Sequence, residues 1–581
     1  MRTKVFALSL ALLAAGLAAA AQTPNSQGPE WPQWGQNQEH AGSVNAVGQA
    51  ARHVLADVVY DPFVQQEMND PLAAPDLLVH YQVPLIDGDD VYMEFKTGTY
   101  TSISTWETQI WNEKRLHWDD GELETEWNFQ SDWKPVPYGT ALFGPAWEPV
   151  FHAALSGSYV YVPGFGGSIY KLNKSNGAVV AHVTPFGSHT DPDIFTTGPL
   201  TADANGNVYY DTIKLSHGNP WESDVVNSWL VKVAANGTVT KATITSLTVG
   251  APAGNAQCPG VFTDPFPWPP SPNAVAPTVQ CGTQRVAINM APAVAPDGTV
   301  YIASVAHLTS RTAYLVAVNP NLTPKWHASL RERFHDGCNV QEPPNGTPGG
   351  CSVGAHTGVD PAENKPGSGR IIEDATSSPV VGPDGSVFLG VYTRYNYAQG
   401  HLMKFSANGT YLAGYIFGWD DTPGIYAHGG TYSLATKDNR YGGTGSYCND
   451  DAACPPDRTP NNPGNPEEYF VTQLSKNLTP EWMWQNTNTL SCTRNPDGSI
   501  SCVSDHPAGF EWCVNAPAID SHGVVYANSE DGGLYTINQG GTLKDHLFLD
   551  LALGAAYTPI SLGRDGKIYT QNEGHLFVVG N

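Results

Sequence analysis

The stretch APAVAPDGTVYIAS, residues 291–304, decides the fold of this chain. It contains a short apolar run, a polar turn at Pro-Asp-Gly and a second run in which apolar side chains alternate. The turn glycine supplies the positive φ that a tight hairpin connection needs. Related stretches begin at residues 197, 377, 515 and 557, and looser copies begin at residues 81 and 150. A hairpin repeated this often predicts a repeat architecture.

Each copy of the hairpin is followed by a second pair of strand-like runs. Examples are TAYLVAVNPNLTPKWHASL from Thr312 and GHLMKFSANGTYLAGY from Gly400. Each repeat therefore contains four short strands joined by Asn-Gly, Asp-Gly or related turns. Four-stranded units in series cover one another's apolar faces when they are arranged radially. The sequence predicts an all-β protein built as a β-propeller of four-stranded antiparallel blades.

The spacing of the turn glycines sets the number of blades. Gly523 and Gly566 are one blade apart, at the roughly 40–50 residues typical of propeller repeats. Gly385 and Gly523 are separated by enough chain for two blades with insertions. A first blade near residues 78–129 brings the count to eight, and seven is the alternative if the first or sixth unit is degenerate. The last repeat has no fourth strand, and RHVLADVVYDP from Arg52 is predicted to supply it and close the ring.

The N-terminus and the charge indicate an exported protein. MRTKVFALSLALLAAGLAAAAQTP predicts a signal peptide over residues 1–21, because basic residues precede an apolar run and small residues. An N-terminal segment that enters and closes the ring is expected over 22–77, and the propeller over 78–581. No later segment has the roughly 18 consecutive apolar residues of a membrane helix. The net charge of −26 disfavours nucleic acid. We expect a secreted or periplasmic monomer without a membrane span.

Nine cysteines agree with an oxidising compartment. Eight of them form close pairs that bracket loops rich in Pro, Gly or Asn, and Cys513 is left over. No CxxC spacing or Cys–His knuckle indicates zinc. Pairing of Cys513 with Cys492 or Cys502 is the alternative to the fourth local pair. Loop insertions are expected at about 250–288, 331–375, 438–466 and 486–512. The predicted local disulfides are Cys258–Cys281, Cys338–Cys351, Cys448–Cys454 and Cys492–Cys502.

Two further motifs carry a resemblance. A turn followed by tryptophan recurs in VNPNLTPKW (Trp326), LSKNLTPEW (Trp482) and HWDDGELETEW (Trp127), and EWPQWGQNQEHAG occupies residues 30–42. These motifs resemble the docking tryptophan and the opening segment of the PQQ-like, or quinoprotein-like, propeller superfamily. The resemblance covers nearly the whole mature chain. It implies the fold and not one function, because a single fold hosts many activities.

The resemblance raises the question of a cofactor. Quinone-dependent dehydrogenases of that group usually carry two adjacent cysteines at the cofactor and a calcium ion held by carboxylate and amide oxygens. No adjacent cysteines and no CxxCH haem motif are present here. DANGN, residues 203–207, resembles part of a calcium loop but occupies the turn position of sister repeats, which favours a turn. PQQ and calcium are kept as alternatives, and no metal site is predicted. The acidic Asp420-Asp421 and residues 449–451 are expected on solvated loops.

Loops that lead into the innermost strands converge at one end of a propeller channel, where ligands usually bind. Histidines and carboxylates on such loops suit a metal, a sugar, a peptide or acid–base chemistry. The alternative is a hydrated funnel in which these groups only satisfy strand ends. Trp512 and Tyr557 are nearby aromatic residues. The candidate channel residues are Glu148, His152, Asn289, Asp374, His428, Glu511 and Asn515.

The function class follows mainly from what the motifs exclude. No GxSxG elbow, HExxH helix or GxxxxGK[ST] loop occurs. We therefore hypothesise a non-enzymatic binding or scaffold protein that engages a protein or glycan through its loop face and central channel. The alternative is an enzyme, either a quinoprotein-type oxidoreductase with PQQ and calcium or a polysaccharide-active lyase or hydrolase. The distances between three residues distinguish the two hypotheses. If His152, His428 and Glu511 lie within hydrogen-bond or ligand distance of one another, the enzyme is favoured. If they are scattered, the binding protein is favoured.

Overall fold

The described residues form eight four-stranded antiparallel blades that are arranged radially as a β-propeller, and in blades 3 and 4 the innermost strand is split into two short pieces, so that these two sheets contain five strands. The fold class and the blade count predicted from the sequence are confirmed. No helix in the described part is long and apolar enough to cross a membrane. The computed structural model describes residues 30–72, 82–138, 150–218, 221–260, 278–338, 340, 351, 353–360, 363, 365–372, 377–393, 400–416, 419–441, 466–512, 514, 516–554 and 557–581.

The first half of the chain forms blades 1 to 4. Strand β1 (His53–Val59) and helix α1 (Val64–Met68) precede them, and helix α2 (Ile244–Leu247) follows blade 3. Short 3-10 turns cover Ile103–Thr108 and Phe165–Gly167. The strands are β2 Leu85–Asp87, β3 Asp90–Thr97, β4 Ile110–Asp119 and β5 Glu122–Gln130 in blade 1; β6 Ala154–Ser156, β7 Tyr159–Pro163, β8 Ile169–Asn173 and β9 Val179–Val183 in blade 2; β10 Ile194–Thr196, β11 Thr201–Ala202, β12 Val208–Lys214, β13 Asn227–Val233 and β14 Val239–Thr243 in blade 3; the inserted hairpin β15 Gln257–Pro259 and β16 Thr278–Gln280; and β17 Gln284–Val286, β18 Ala293–Val294, β19 Val300–Ala306, β20 Thr309–Val318 and β21 Pro324–Ser329 in blade 4.

The second half forms blades 5 to 8, with two more inserted hairpins. The strands are β22 Val359–Asp360 and β23 Lys365–Pro366 in the first of these hairpins; β24 Val380–Val381, β25 Val387–Val391, β26 His401–Phe405 and β27 Tyr411–Ile416 in blade 5; β28 Gly424–His428, β29 Thr431–Arg440, β30 Glu468–Ser475 and β31 Pro480–Gln485 in blade 6; β32 Leu490–Arg494 and β33 Ile500–Ser504 in the second hairpin; β34 Ala518–Ile519, β35 Val525–Asn528, β36 Gly533–Asn538 and β37 Thr542–Phe548 in blade 7; and β38 Ser561–Leu562, β39 Ile568–Asn572 and β40 His575–Gly580 in blade 8.

The ring closes between the two ends of the described chain. Strand β1 pairs antiparallel with β40 and becomes the outermost strand of blade 8. Val54 lies opposite Val579 and Val58 opposite Leu576. This confirms the predicted closure by the N-terminal strand. A shared sheet holds the two ends together, so unfolding of blade 8 also opens the ring.

Residues 31–49, which we call the central segment, run around the inner edges of the blades. In blades 1 to 7 the second residue of the innermost strand donates its backbone N–H to this segment, and in blade 8 Gln49 N donates to Gly566 O at 2.8 Å. An unpaired inner edge is costly, because buried N–H groups need acceptors. The seven donors and acceptors are Ile86 to Trp31 O, Leu155 to Pro32 O, Ala202 to Gln33 Oε1, Val294 to Gln38 O, Val381 to Glu39 O, Ile425 to Ala41 O and Ile519 to Gly42 O, at 2.6–2.9 Å.

The central segment also has an apolar anchor. Trp34 is 1% exposed and packs in a cluster with Val150, Ala291 and Ala516, which come from three different blades. His40 Nδ1 lies 2.8 Å from Pro379 O, and burial lowers the pKa of His40 to about 4. The segment therefore occupies the channel of the ring and contacts blades on all sides.

The order of strands within a blade divides the connections between two faces. The innermost and second strands are joined by a tight turn, as are the third and fourth, and these turns share one face, which we call the turn face. Connections from the second to the third strand, and from one blade to the next, emerge at the opposite face, the loop face. The hairpins β15–β16, β22–β23 and β32–β33 all lie between blades and therefore at the loop face.

The repeated tryptophan docks each blade that carries it onto the next. Trp326 Nε1 donates to Ala407 O at 2.9 Å, and its indole lies against Gly409 in the outer turn of blade 5. Trp127 makes the same contact with the outer turn of blade 2, through Lys174 O at 2.8 Å and Gly177. Glycine is required at position 409 for two reasons. Its φ of +84° disfavours other residues, and a Cβ there would lie 2.7 Å from the Trp326 indole.

This docking contact is testable with a matched pair of alanine substitutions. Gly237 occupies the same turn position in blade 3, with φ +86°, and nothing lies within 4 Å of a Cβ there. Both Gly409→Ala and Gly237→Ala introduce backbone strain, but only the first displaces Trp326. We expect Gly409→Ala to lower the free energy of unfolding by about 1–3 kcal/mol more than Gly237→Ala, in urea titrations. Equal losses would contradict the docking contact.

The packing of the central segment gives a second prediction. Removing a fully buried indole costs about 3–5 kcal/mol, because apolar contacts are lost and a cavity is left. We expect this loss for Trp34→Ala, measured as the change in free energy of unfolding in urea. Val47→Ala, in the same segment at a side chain that is 50% exposed, is the control and should change stability by less than about 1 kcal/mol. A small effect of Trp34→Ala would show that the segment does not anchor the ring.

Blades 1 and 8 meet at a buried acidic cluster. Lys96 Nζ donates to Asp61 Oδ2 at 2.7 Å and lies 3.9 Å from Glu67 Oε1. Glu94 and Glu113 are directly opposite each other on β3 and β4, and both are buried. Burial raises the pKa of Glu67 and of Glu94 to about 8 and raises that of Glu113 well above its usual value. One lysine cannot neutralise four carboxylates, so part of the cluster is protonated at neutral pH.

The cluster predicts how stability depends on pH. The folded state keeps protons between about pH 4.5 and 8 that the unfolded chain releases, so stability falls as pH rises through this window. We expect Glu94→Gln to make this fall shallower, by up to about 1.4 kcal/mol per pH unit, because the amide has no proton to lose. Urea unfolding at several pH values measures it. The control is Glu124→Gln, at an exposed glutamate of the same blade, which should leave the dependence of stability on pH unchanged. The same pH dependence in the wild type, Glu94→Gln and Glu124→Gln would contradict this role of the cluster.

Candidate binding site at the loop face

Disulfides brace the inserted loops at the loop face. The pairs Cys258–Cys281, Cys338–Cys351 and Cys492–Cys502 are bonded in the structure, and they are consistent with a secreted or periplasmic protein. Cys492 and Cys502 face each other across the hairpin β32–β33. Five residues of the sequence predictions lie outside the described residues. They are Cys448, Cys454, Glu148, Asp374 and Asn515, and Cys513 lies outside them too.

His152 lies two residues before β6, at the loop end of the channel. It is fully buried, and its Nε2 accepts the backbone N–H of Val83 at 3.1 Å. Its Nδ1 lies 2.8 Å from Ala153 O and donates to it, so the ring is neutral with both nitrogens engaged. Burial lowers the pKa of His152 to about 4. Trp34 meets the ring edge-on at 6.0 Å. The ring thus links blades 1 and 2.

Equivalent positions in other blades make the same kind of link. Ala291 N donates to Ser378 Oγ at 3.0 Å, and Ser378 N donates to Thr422 Oγ1 at 3.0 Å. Each of these residues lies three positions before the residue that donates to the central segment. A side chain of one blade therefore caps a backbone N–H of the preceding blade. His152 belongs to this series of links.

Asn289 and Tyr557 mark a second equivalent position, five residues before the second residue of the innermost strand, which is Val294 in blade 4 and Leu562 in blade 8. Both have positive φ, 58° and 53°, which is uncommon for residues other than glycine. Asn289 is 2% exposed, and its N–H donates to Thr197 O at 2.8 Å. Tyr557 is half-buried and packs against the cluster around Trp34. Strained backbone of this kind is often found at ligand sites.

The remaining described candidates lie elsewhere. His428 ends β28 at the turn face, where Nε2 lies 2.8 Å from Ser433 Oγ and the ring stacks on Tyr426 at 4.9 Å. Glu511 is half-buried at the loop face, and Trp512 beside it is fully buried in the blade core. His152 and His428 therefore lie at opposite ends of the innermost strands and do not form one site.

The structure corrects the expectation for Asp420 and Asp421, which do not lie on a solvated loop. Their exposed fractions are 4% and 0%, because the chain turns inward at the mouth of the channel before β28. Asp420 pairs with the Lys437 ammonium, which is 1% exposed and lies 5.4 Å from the Tyr557 ring centroid. We call Trp419, Asp420, Asp421, Lys437 and Tyr557 the mouth cluster.

The mouth cluster contains three buried charged residues, and the pKa of one of them is strongly shifted. Asp421 Oδ2 accepts from Thr436 Oγ1 at 2.6 Å and from Lys437 N at 3.3 Å. Burial nevertheless raises the pKa of Asp421 to about 7, so this carboxyl group is partly protonated at neutral pH. Trp419 and Tyr557 are partly exposed and flank these charges. The sequence signal for this site is KDNR, residues 437–440, at the end of β29, which places three charged side chains in a buried strand.

Comparisons with known proteins agree with this architecture. No protein-family model matches the chain, and no curated protein matches it. Among solved structures, a quinohemoprotein alcohol dehydrogenase from Comamonas testosteroni is 12% identical, over 96% of this chain and 82% of that one, with a TM-score of 0.50. This chain shares its fold with that enzyme. A europium-containing methanol dehydrogenase (11%, 93% and 89%, TM-score 0.43) and BamB from Moraxella catarrhalis (10%, 81% and 94%, 0.37) are also similar. At these identities the likeness concerns the fold alone.

The mouth cluster by itself does not supply the cations that a quinone cofactor needs. PQQ is a planar molecule with three carboxylates and needs cationic partners. Lys437 is already paired with Asp420 and lies beside Asp421, so the described charges there are mostly negative. Among the described residues no group of three or more His, Cys, Asp and Glu side chains is placed to hold a metal ion.

Proposed function

We propose that this PQQ-like propeller is an exported binding module that takes a glycan or a protein segment at its loop face. The observation that carries the proposal is the asymmetry of the ring. The central segment occupies the channel, and the described inserted hairpins emerge at one end of it. The loop face therefore has a floor, formed by the central segment, and a rim, formed by the described hairpins. Export is supported by the predicted signal peptide over residues 1–21 and by the disulfides at the rim.

The placement of the histidines favours binding over acid–base catalysis. Both nitrogens of His152 are engaged between blades, and a ring whose pKa is about 4 is a poor general base at neutral pH. His428 lies at the other face. A pair of groups poised around one substrate is therefore not supported by these residues.

The mouth cluster supplies the contacts that such a binding site needs. Trp419 and Tyr557 offer apolar ring surface with a polar edge, which suits sugar rings and peptide side chains. The buried Asp420–Lys437 ion pair lies next to those rings, and its ammonium group lies over the Tyr557 ring and supports it from below the surface. Aromatic and charged side chains in a desolvated setting are typical of binding hot spots.

The proposal predicts that binding depends on the mouth cluster. We expect the full chain to bind at least one member of a defined panel of polysaccharides and extended peptides, measured by biolayer interferometry. Trp419→Ala should weaken that binding at least tenfold, because ring contact is lost. Trp229→Ala removes a partly buried tryptophan on β13 of blade 3 and is the matched control, expected to change the affinity less than twofold.

Two results would contradict this function. One is binding that Trp419→Ala leaves unchanged while the protein stays folded, as judged by its melting temperature. The other is a rise of several degrees in melting temperature on adding PQQ with millimolar calcium, because a ligand that binds only the folded state stabilises it. We expect no such rise. A rise would favour the alternative, a quinoprotein-type oxidoreductase.

A further inference from the structure

The turn face carries a long groove beside the central segment. Two cavities of about 900 and 510 Å³ lie along it, within the size range of small-molecule sites. They share Asn37 and Glu39 of the central segment and Ala295 and Pro296 of blade 4. The larger one reaches blade 2 and the smaller one reaches blade 6. The groove is at the opposite face from the mouth cluster, so it is independent of the proposed function.

Blade 2 supplies a cation to this groove. Lys171 Nζ lies 3.8 Å from the ring centroid of Tyr159 and 5.5 Å from that of Tyr161, and all three residues line the larger cavity. Lys171 has no hydrogen-bond or carboxylate partner within the described part of the chain, and neither tyrosine hydroxyl has one. A half-buried ammonium held over aromatic rings without a counter-ion is a site for an anionic group.

The central segment adds two amide donors whose orientation is determined by the backbone. Gln33 Oε1 accepts from Ala202 N at 2.6 Å, and Asn37 Oδ1 accepts from Ala41 N at 2.9 Å. Each carbonyl oxygen is therefore occupied. The NH₂ groups of Gln33 and Asn37 have no partner among the described residues, and both residues line the groove.

The acidic residues of the groove are largely occupied. Asp203 accepts from the N–H groups of Asn205 and Asn207, from Asn207 Nδ2 at 2.7 Å and from the Tyr209 hydroxyl at 3.2 Å. These bonds are those of a turn, in agreement with the turn predicted for DANGN. Glu39 accepts from Gln38 Nε2 at 3.1 Å, and Asp297, which lines the smaller cavity, pairs with Lys325 at 3.2 Å. These carboxylates therefore have partners, whereas Lys171 and the two amide NH₂ groups have no hydrogen-bond partner among the described residues.

We propose that this groove binds an acidic saccharide, with a carboxylate at Lys171 and hydroxyl oxygens at the amides of Gln33 and Asn37. Among the described residues, Lys171 is the one cationic side chain that lines the larger cavity, and its ammonium group can pair with one carboxylate of an acidic sugar ring. Lys325 lines the smaller cavity but already pairs with Asp297 at 3.2 Å. A nucleic acid, with a phosphate at every nucleotide, is disfavoured by the net charge of −26. The open, elongated groove admits several linked sugar rings.

Calorimetric titration of the full chain with trigalacturonic acid tests this site, with maltotriose as the neutral probe. We expect trigalacturonic acid to bind at least tenfold more tightly than maltotriose, and Lys171→Met to remove this difference. Lys241→Met is the matched control, since Lys241 also lies over an aromatic ring, Phe186 at 4.4 Å, but away from the groove. It should leave the affinity unchanged.

Two further variants keep the test decisive. Asn37→Asp keeps the oxygen that accepts from Ala41 N and replaces the NH₂ donor by a carboxylate oxygen, so it is expected to weaken binding severalfold and serves as the test if Lys171→Met does not fold. Trp419→Ala at the loop face should have no effect here, which separates this site from the proposed function. Absence of trigalacturonic acid binding, or binding that survives Lys171→Met in a folded protein, would overturn the proposal.

Discussion

The hydrogen bonds between the central segment and the innermost strands are the interaction on which the rest of the structure depends. The innermost strand of each blade has one edge whose backbone groups are not paired within the sheet. Leaving these N–H and C=O groups without partners costs free energy, and such an edge is prone to pair with other chains. One stretch of 19 residues, 31–49, meets these edges in turn, with seven blades donating to it in the same way. Because the same stretch contacts every blade, the ring has a filled centre. That filling leaves the two faces as places for a ligand.

The contacts between blades show how polar residues serve packing in this fold. His152 accepts from Val83 N, Ser378 from Ala291 N and Thr422 from Ser378 N, so side chains at one position cap the backbone of the preceding blade. Farther from the axis, Trp127 and Trp326 do the equivalent work with an indole N–H and a glycine turn. From the sequence alone, a histidine at such a position suggests a catalytic or ligand-binding residue. Its engaged nitrogens and its lowered pKa identify it as a structural group.

The two faces differ because of strand order alone. An antiparallel four-stranded blade places both of its tight turns on one side, so insertions within and between blades accumulate on the other. The described disulfides lie at the loop face, whereas the turn face has the groove beside the central segment. The likeness to a quinohemoprotein alcohol dehydrogenase concerns the fold alone, and one fold hosts many functions. The function of this protein therefore depends on the side chains at its two faces.

The sequence by itself determined the repeat, the four-stranded blades, the count of eight, the closing strand at His53–Val59 and three local disulfide pairs, Cys258–Cys281, Cys338–Cys351 and Cys492–Cys502. Each of these depends on short-range patterns, such as alternation, turn glycines and cysteines close in the chain. Only the tertiary structure decided that His152 and His428 lie at opposite ends of the channel and that Asp420 and Asp421 are buried. It also placed Gln33 and Asn37 beside Lys171. Those relations join residues far apart in the chain, and no local pattern encodes a distance around a closed ring.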